Sequence, residues 1–301
     1  MNTTKNYLDF HIHTNLSDGK YSPEEVVKLA LNHDISIMAI TDHNRILSTE
    51  KLKELMQFVD YKAHILRGSE VSCRFDLPDR SIELHIVALF PDMHTDTSIF
   101  EELIKRNTSY DRRNYIGKIL DKLRTVGVDI GTYDELVRDY PNATLGRPQV
   151  ADKIVKYGYA KSVDEAMDLY IGNFGERRAY VENPQKKLMP TLAEVIHAIQ
   201  ACKGMAILAH LNYYKLTEEE EHILLKAYSK LTGLSGGMET NYRRYPIEQR
   251  KRLATLASLY SLFQSNASDY HGVFESDGLD NYFSTDVYDA LMERWKVYYE
   301  V

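Results

Sequence analysis

Apolar residues along this chain keep two periods, and the period changes with position. Near the start, runs that are apolar almost throughout alternate with stretches in which apolar residues return every third or fourth position. NYLDFHIH (6–13), ISIMAITDH (35–43), HILRGSEVSCRF (64–75) and SIELHIVALF (81–90) read as strands. A strand apolar nearly throughout is one covered on both faces. SPEEVVKLALNHD (22–34) and STEKLKELMQFVDYKA (48–63) read as helices. In the first of these, Ser22 caps the start, Pro23 suits the first turn and Glu25 completes a capping box. Val26, Val27, Leu29 and Ala30 form its apolar stripe.

From about Thr95 to Pro190 the strand rhythm stops. Ile99, Leu103, Tyr110, Ile116, Ile119 and Leu123 recur at helical spacing, and TYDE (132–135) and SVDE (162–165) are capping boxes. An all-α insertion is expected here. Alternation then resumes. TLAEVIHAIQACKG (191–204), TEEEEHILLKAYSKLTG (217–233) and YPIEQRKRLATLASLY (245–260) read as helices, and MAILAH (205–210), GGMETN (236–241) and LFQSNASDYHG (262–272) as strands. This predicts parallel strands with covering helices. A closed barrel is favoured over an open sheet, because no glycine-rich nucleotide loop follows the first strand. The expected division is a barrel built from residues 1–94 and 188–301, interrupted by a helical domain over 95–187.

Histidines and acids collect at the predicted strand ends. His11 and His13, two apart and so on one face of a strand, close the first, with Asp18 shortly after. His43 ends the second strand, Glu70 the third and His210 the fifth; His85 lies within the fourth, and Asp269 and His271 end the last. In a barrel of parallel strands the carboxyl ends open on one face, where barrel enzymes do chemistry. Imidazoles and carboxylates are the donor set of borderline divalent metals such as Zn, Mn or Fe. A tetrahedral catalytic zinc takes three protein ligands and a water. This set exceeds that, so two or three ions sharing a bridging carboxylate are expected, with Glu70 as the bridge. His33, His64, His94, His197 and His222 fall in helical or loop contexts and are read as ordinary packing or surface residues.

Composition narrows the partners. The 301 residues carry a net charge of −7, so no global field favours a long polyanion. A small anionic substrate held by local positive charge fits better. Cys73 and Cys202 are the 2 cysteines and make neither a disulfide framework nor a zinc-finger spacing; buried thiols in a reducing compartment are expected. The opening MNTTKNYLDF lacks the pattern of a secretory signal, and no apolar run approaches the ~20 residues of a membrane helix. A cytoplasmic protein with no membrane partner is expected.

DFHIHTNLSDG, AITDHN, GSEVS, AILAH and NASDYHG, in that order, resemble the motifs of the PHP family, the polymerase and histidinol phosphatase domains, over about residues 7–94 and 188–275. The insertion, with GRPQVADKIVKYGY and RRAYV, resembles the stand-alone PHP phosphoesterases in particular. That subgroup includes nucleotide phosphatases, some acting on 3′,5′-bisphosphonucleosides, and a 5′-to-3′ exoribonuclease. The resemblance implies an α/β fold, a distorted (β/α)7 TIM-like barrel of the PHP type, with the all-α insertion as a substrate cap. It also implies a multinuclear site. His11, His13, Glu70 and Asp269 would hold a first ion, Asp18, His43 and His271 a second, and His85 and His210 a third bridged by Glu70. Leu211 follows His210 where the family often has proline, and FPDMHTD (90–96) stands where relatives often have a glycine-containing turn. The pocket rim is expected to differ accordingly.

The expected reaction is hydrolysis of a phosphomonoester of a small molecule, a nucleotide such as a 3′,5′-bisphosphonucleoside, by a hydroxide bridging two ions, since metal binding lowers the pKa of water towards ~7. Glu70 and His271 serve this chemistry. Arg147, which the resemblance places over the site, would clamp phosphate bidentately. Asp9 and Asp42 are candidates for orienting ligand imidazoles, and Glu239 for a supporting or substrate-facing role. Arg177, Arg178, Arg243 and Arg244 supply local positive charge, and Tyr242 and Tyr245 are candidates for stacking on a base. The nearest rival is a 5′-to-3′ exoribonuclease acting on short RNA with the same site. An amidohydrolase is disfavoured because no strand offers a central lysine. A non-catalytic metal-binding module is disfavoured by the undegraded ligand set.

Overall fold

The computed structural model describes residues 7–59, 63–108, 112–141, 145–173, 175–182, 189–272 and 286–300. Among these the chain runs β1 (Tyr7–Ile12), α1 (Pro23–Asn32), β2 (Ile35–Ile40), α2 (Thr49–Met56), β3 (His64–Asp76), β4 (Ser81–Phe90), α3 (Ser98–Thr108), α4 (Arg112–Thr125), α5 (Tyr133–Asp139), α6 (Arg147–Lys156) and α7 (Val163–Ala166). It continues through α8 (Leu192–Ala201), β5 (Met205–Leu208), α9 (Glu218–Thr232), β6 (Gly236–Tyr242), α10 (Ile247–Leu259), β7 (Phe263–Ala267) and α11 (Asp286–Tyr299). The second predicted helix is shorter than its pattern, and part of the predicted remainder, 60–62, lies outside the described residues. No helix of the described residues is long and apolar enough to cross a membrane.

Two compact units result. One comprises Met1–Thr14, Gly19–Thr108 and Met189–Val301; the other comprises Asn15–Asp18 and Ser109–Leu188. The division falls at Ser109, whereas the sequence pattern starts the insertion at 95. The difference is α3, whose Phe100 and Ile104 share a core with Leu192 and Ile196 of α8 and whose Arg106 pairs with Glu194 at 2.9 Å.

In the first unit the strands form one sheet in the order β1 to β7. All neighbours are parallel except at β4, which runs antiparallel to both β3 and β5. That reversal departs from the parallel alternation the pattern predicts. His85 approaches from the middle of a strand running against the rest. Glu70 is likewise mid-strand, because β3 continues to Asp76 along a ladder that pairs Arg67 with Phe90 and Asp76 with Ser81. Strand direction leaves no mark on an apolar run, so the pattern could not disclose it.

β1 and β7 share no continuous ladder among the described residues. They meet at the isolated bridge Ile12↔Tyr270. Asn266 Nδ2 donates to the Leu8 carbonyl at 3.0 Å, and the Ser268 N–H donates to Asp9 Oδ1 at 3.1 Å. The sheet thereby closes into a distorted barrel.

The register of β1 explains how its histidines reach the interior. Leu8 pairs with Ile37 and Asp9 with Met38, but Ile12 pairs with Ile40, so β1 carries one residue more than β2 over this stretch. An extra residue switches the facing of every later position in the strand. Leu8 and Phe10 therefore pack inward with Ile37, Ala39, Leu66, Val87 and Ile207, while His11 and His13 turn inward beyond the switch. Leu291 and Trp295 of α11 join that inner layer, with the Trp295 indole N–H donating to the Lys203 carbonyl at 2.6 Å. A capping box starts α1 where predicted, at Ser22 with Glu25, and Thr191 with Glu194 forms one at the start of α8.

The second unit has its own core. Ile116, Ile119 and Leu123 of α4 pack with Leu136 of α5 and with Val150 and Ile154 of α6. Thr132 and Glu135 form a reciprocal cap on α5. Ser162 caps α7, which passes directly into a π-helical turn over Met167–Ile171.

Candidate metal centre

Glu70 stands at the middle of the barrel's histidines, 1 % exposed. Its Oε2 lies 3.2 Å from His11 Nε2, 3.2 Å from His13 Nε2 and 3.1 Å from His43 Nδ1. Its Oε1 lies 2.8 Å from His85 Nδ1 and 3.0 Å from His210 Nε2. Asp269 Oδ1 adds contacts of 3.6 Å to His11 Nε2, 3.4 Å to His13 Nε2 and 3.4 Å to His271 Nδ1. The His13 and His271 rings stack with centroids 4.2 Å apart. The predicted ligands of the first unit thus converge on one cluster.

Asp18 and Arg147 belong to the second unit. Asp18 Oδ1 accepts from the Ser17 hydroxyl at 3.2 Å. Arg147 opens α6 and donates from Nη1 to Asn173 Oδ1 at 2.8 Å.

The donor chemistry fits divalent cations. His11 Nε2 and His13 Nε2 are 3.0 Å apart and face the same carboxylate oxygen. Three ring nitrogens on that oxygen exceed the hydrogen bonds it can accept well, and two neighbouring nitrogens share at most one proton. Lone pairs of imidazole and carboxylate aimed at a common centre are what a borderline metal takes. The ligand atoms of His11, His13 and Glu70 all lie within 4.8 Å of one another, as do those of His43, Glu70 and His85, and those of His13, His43 and His271. Glu70, His13 and His43 each appear in two groups, which suits more than one ion. Cys73 and Cys202 are buried and free, away from these groups. His33, His64, His94, His197 and His222 also stand outside them; His64, for example, stacks on Tyr288 at 5.3 Å.

Neighbouring groups hold the ligands in position. Glu239 Oε1 lies 2.6 Å from His11 Nδ1, and its Oε2 accepts the His210 backbone N–H at 2.6 Å. With Nδ1–H engaged there, His11 turns the lone pair of Nε2 to the cluster. The Tyr242 hydroxyl donates to Asp269 Oδ2 at 2.7 Å. Tyr242 and Tyr245 are 0 % and 6 % exposed, so neither offers a face to a base, contrary to expectation. Asp9 and Asp42 secure backbone: Asp9 Oδ1 accepts the N–H groups of His11 and Ser268, and Asp42 accepts the N–H and hydroxyl of Thr14. His210 and Asp269 sit at φ 30° and 50°, the left-handed region that is costly for a side chain and that collects at ligand clamps.

The charges of these side chains are strongly coupled. Burial opposes ionisation of Glu70, but His43, His11 and His85 outweigh it and hold the carboxyl well below the usual range. Burial likewise opposes charge on Asp269, and His271, His11 and His13 reverse that and hold it low. Burial disfavours a proton on His11, yet Glu70, Glu239 and Asp269 raise the ring well above its ordinary value. His85 rises to about 10 against its burial, through Glu70. Cations that bind such a site displace these protons.

Comparison with known proteins agrees with this chemistry. The family model described as the PHP domain matches residues 9–279. A 5′-3′ exoribonuclease of Haemophilus influenzae is 27 % identical over 294 residues, covering 97 % of this chain and 99 % of the relative. A 3′,5′-nucleoside bisphosphate phosphatase of Chromobacterium violaceum is 24 % identical over 266 residues, covering 88 % and 87 %. Two crystal structures share the fold over 96 % of both chains. One, from Bifidobacterium adolescentis and named provisionally as a metal-dependent phosphoesterase, has a TM-score of 0.73 at 23 % identity. The other, named as an amidohydrolase of Chromobacterium violaceum, has 0.74 at 22 %. With the family match spanning most of the sequence and a histidine–carboxylate cluster inside the barrel, the chain belongs to the PHP domain family.

Proposed function

We propose that this chain is a metal-dependent phosphoesterase that removes phosphate from a small phosphorylated molecule, a nucleotide such as a 3′,5′-bisphosphonucleoside. The carrying observation is Glu70, a buried carboxylate with five imidazole nitrogens within 2.8–3.2 Å of its two oxygens. Two or three ions of Mn, Fe or Zn suit this donor set. Bound there, they supply a water ionised near neutral pH and neutralise phosphoryl charge. The chain's own residues do the rest. His11, His13, His43, His85, His210, Glu70, Asp269 and His271 hold the ions, and the DFHIHTNLSDG motif supports Asp18 as a further ligand. Glu239 and Tyr242 fix His11 and Asp269. Arg147 is assigned to a substrate phosphate, because a guanidinium matches it bidentately and its motif resembles that of the phosphoesterases. A cytoplasmic setting suits the two free thiols.

A second reading, 5′-to-3′ removal of nucleotides from short RNA, is supported by the similarity to the exoribonuclease of Haemophilus influenzae. The test loads the protein with Mn, Fe or Zn in turn. It compares phosphate release from adenosine 3′,5′-bisphosphate with nucleotide release from a 5′-phosphorylated RNA oligomer. Release from the first supports the leading reading and release from the second the other. Release from neither, with any of the metals, refutes both.

A further inference from the structure

One cation beside the cluster has no part in holding metal. Arg244 lies two residues past the end of β6 and is exposed. Its guanidinium hydrogen-bonds the Tyr213 side chain and feels the charge of Asp269, with which it makes no ion pair. Tyr213 belongs to the 3₁₀ turn Leu211–Tyr214 that directly follows His210. Its ring is 41 % exposed and lies 5.5 Å from the His210 ring and 5.8 Å from the Tyr242 ring, centroid to centroid. Tyr242 in turn holds Asp269. Contacts therefore lead from two members of the metal set outward to a guanidinium.

The backbone presenting Arg244 is fixed. Arg250 donates from Nε to the Tyr245 carbonyl at 2.7 Å and from Nη2 to the Arg243 carbonyl at 2.9 Å, bracketing Arg244 on both sides. The Tyr245 hydroxyl accepts the Asn212 N–H at 3.1 Å, tying this turn to the one that carries Tyr213. An oriented, exposed guanidinium that makes no ion pair among the described residues, on a chain of net charge −7, is open to an anion from outside. Of the other arginines singled out in the sequence, Arg177 stacks on Tyr180 and Arg178 pairs with Glu176, both within the helical unit.

We propose that Arg244, oriented by Tyr213, is a specificity-determining contact for a second phosphoryl group of the substrate, distinct from the one presented to the metal cluster. The inference rests on the phosphoesterase reading and deepens it, because it selects substrates carrying two phosphoryl groups over simple monoesters. A 3′,5′-bisphosphonucleoside and a 5′-phosphorylated oligonucleotide both supply that chemistry, and separate assays tell them apart.

The test measures kcat and KM of metal-loaded wild type, Arg244→Met, Arg244→Lys and Tyr213→Phe on three esters: adenosine 3′,5′-bisphosphate, a 5′-phosphorylated RNA trimer and p-nitrophenyl phosphate. A charge-assisted contact is worth about tenfold or more. Arg244→Met is therefore expected to lower kcat/KM for one of the first two esters, relative to p-nitrophenyl phosphate, by that factor, mainly through KM. Arg244→Lys recovers part of the loss, and Tyr213→Phe shifts the ratio in the same direction. An unchanged ratio, or equal losses on all three esters, overturns the subsite and leaves the phosphoesterase reading standing. If wild type cleaves none of the esters, that reading falls, and equilibrium binding of adenosine 3′,5′-bisphosphate decides the subsite. A tenfold weaker Kd in Arg244→Met supports it; binding that is absent or unchanged overturns it.

Discussion

Replacing Glu70 by glutamine changes one atom and one charge at the most crowded point of the molecule. Five imidazole nitrogens rest on the two oxygens of this side chain. Glutamine keeps the shape but offers one acceptor and turns an N–H₂ towards ring nitrogens that need their lone pairs for metal. A contact to a charged partner is worth roughly 1.5–3 kcal/mol. If Glu70 serves an ion with each oxygen, two such contacts go, which is about 3–6 kcal/mol or roughly 10²- to 10⁴-fold in the metal-dependent rate. The assay pairs phosphate release with elemental analysis of the dialysed protein. Glu70→Gln is expected to lose rate and bound metal together, with retained helical circular dichroism showing that the barrel still folds. Under metal-free conditions the variant is also expected to melt lower, because His11 and His85 lose the anion that raises them. A variant that kept its full metal content and a rate within about threefold of wild type would refute the bridging assignment.

Other outcomes rest on the same geometry. Glu239→Gln should weaken metal binding about 10- to 100-fold, as loss of an orienting partner does, read by competition with a chromogenic chelator. Tyr242→Phe frees Asp269 Oδ2 and should cost about 0.5–1.5 kcal/mol in metal affinity, seen in the same competition; no change would mean the hydroxyl only fills space. Chelator treatment should lower the melting temperature, and re-addition of Mn or Zn should restore it. Burial lifts the Asp9 carboxyl from 3.8 to about 6. A raised acid pKa means the folded state holds the proton more tightly, so stability falls as pH climbs from about 4 to 6, by roughly 3 kcal/mol for this group. Metal-free Asp9→Asn should lack that slope in melting temperature against pH, and parallel profiles for the two proteins would contradict the argument.

The legibility of the site in the sequence was uneven for physical reasons. Histidines two apart on a strand, and acids at the ends of apolar runs, are local signals, and His11, His13, His43 and His271 carry them in plain view. Glu239 and Tyr242 act on residues 228 and 27 positions away. Only strand order could pair Glu239 with His11, and nothing local distinguishes a tyrosine that fixes a carboxylate from one that stacks on a base. Reversal of β4 was equally hidden, because a strand buried on both faces has the same apolar run in either direction. The extra residue in β1 has no glycine or proline to announce it. The pattern of SIFEELIKRNT is helical either way and says nothing of which unit that helix packs against.

The gap in the ladder between β1 and β7 bears on how this molecule is assembled. His11 and His13 are made first and Asp269 and His271 nearly last, on the two strands that the sheet itself joins least. No nascent chain shorter than about the first nine-tenths of the sequence carries every proposed ligand, so the full set of ions would be seated only once that length has been made. Once seated, they would clasp the barrel shut across its weakest edge, closing a loop of more than 250 residues that is entropically expensive to bring together. Cofactor and closure are in this sense one event.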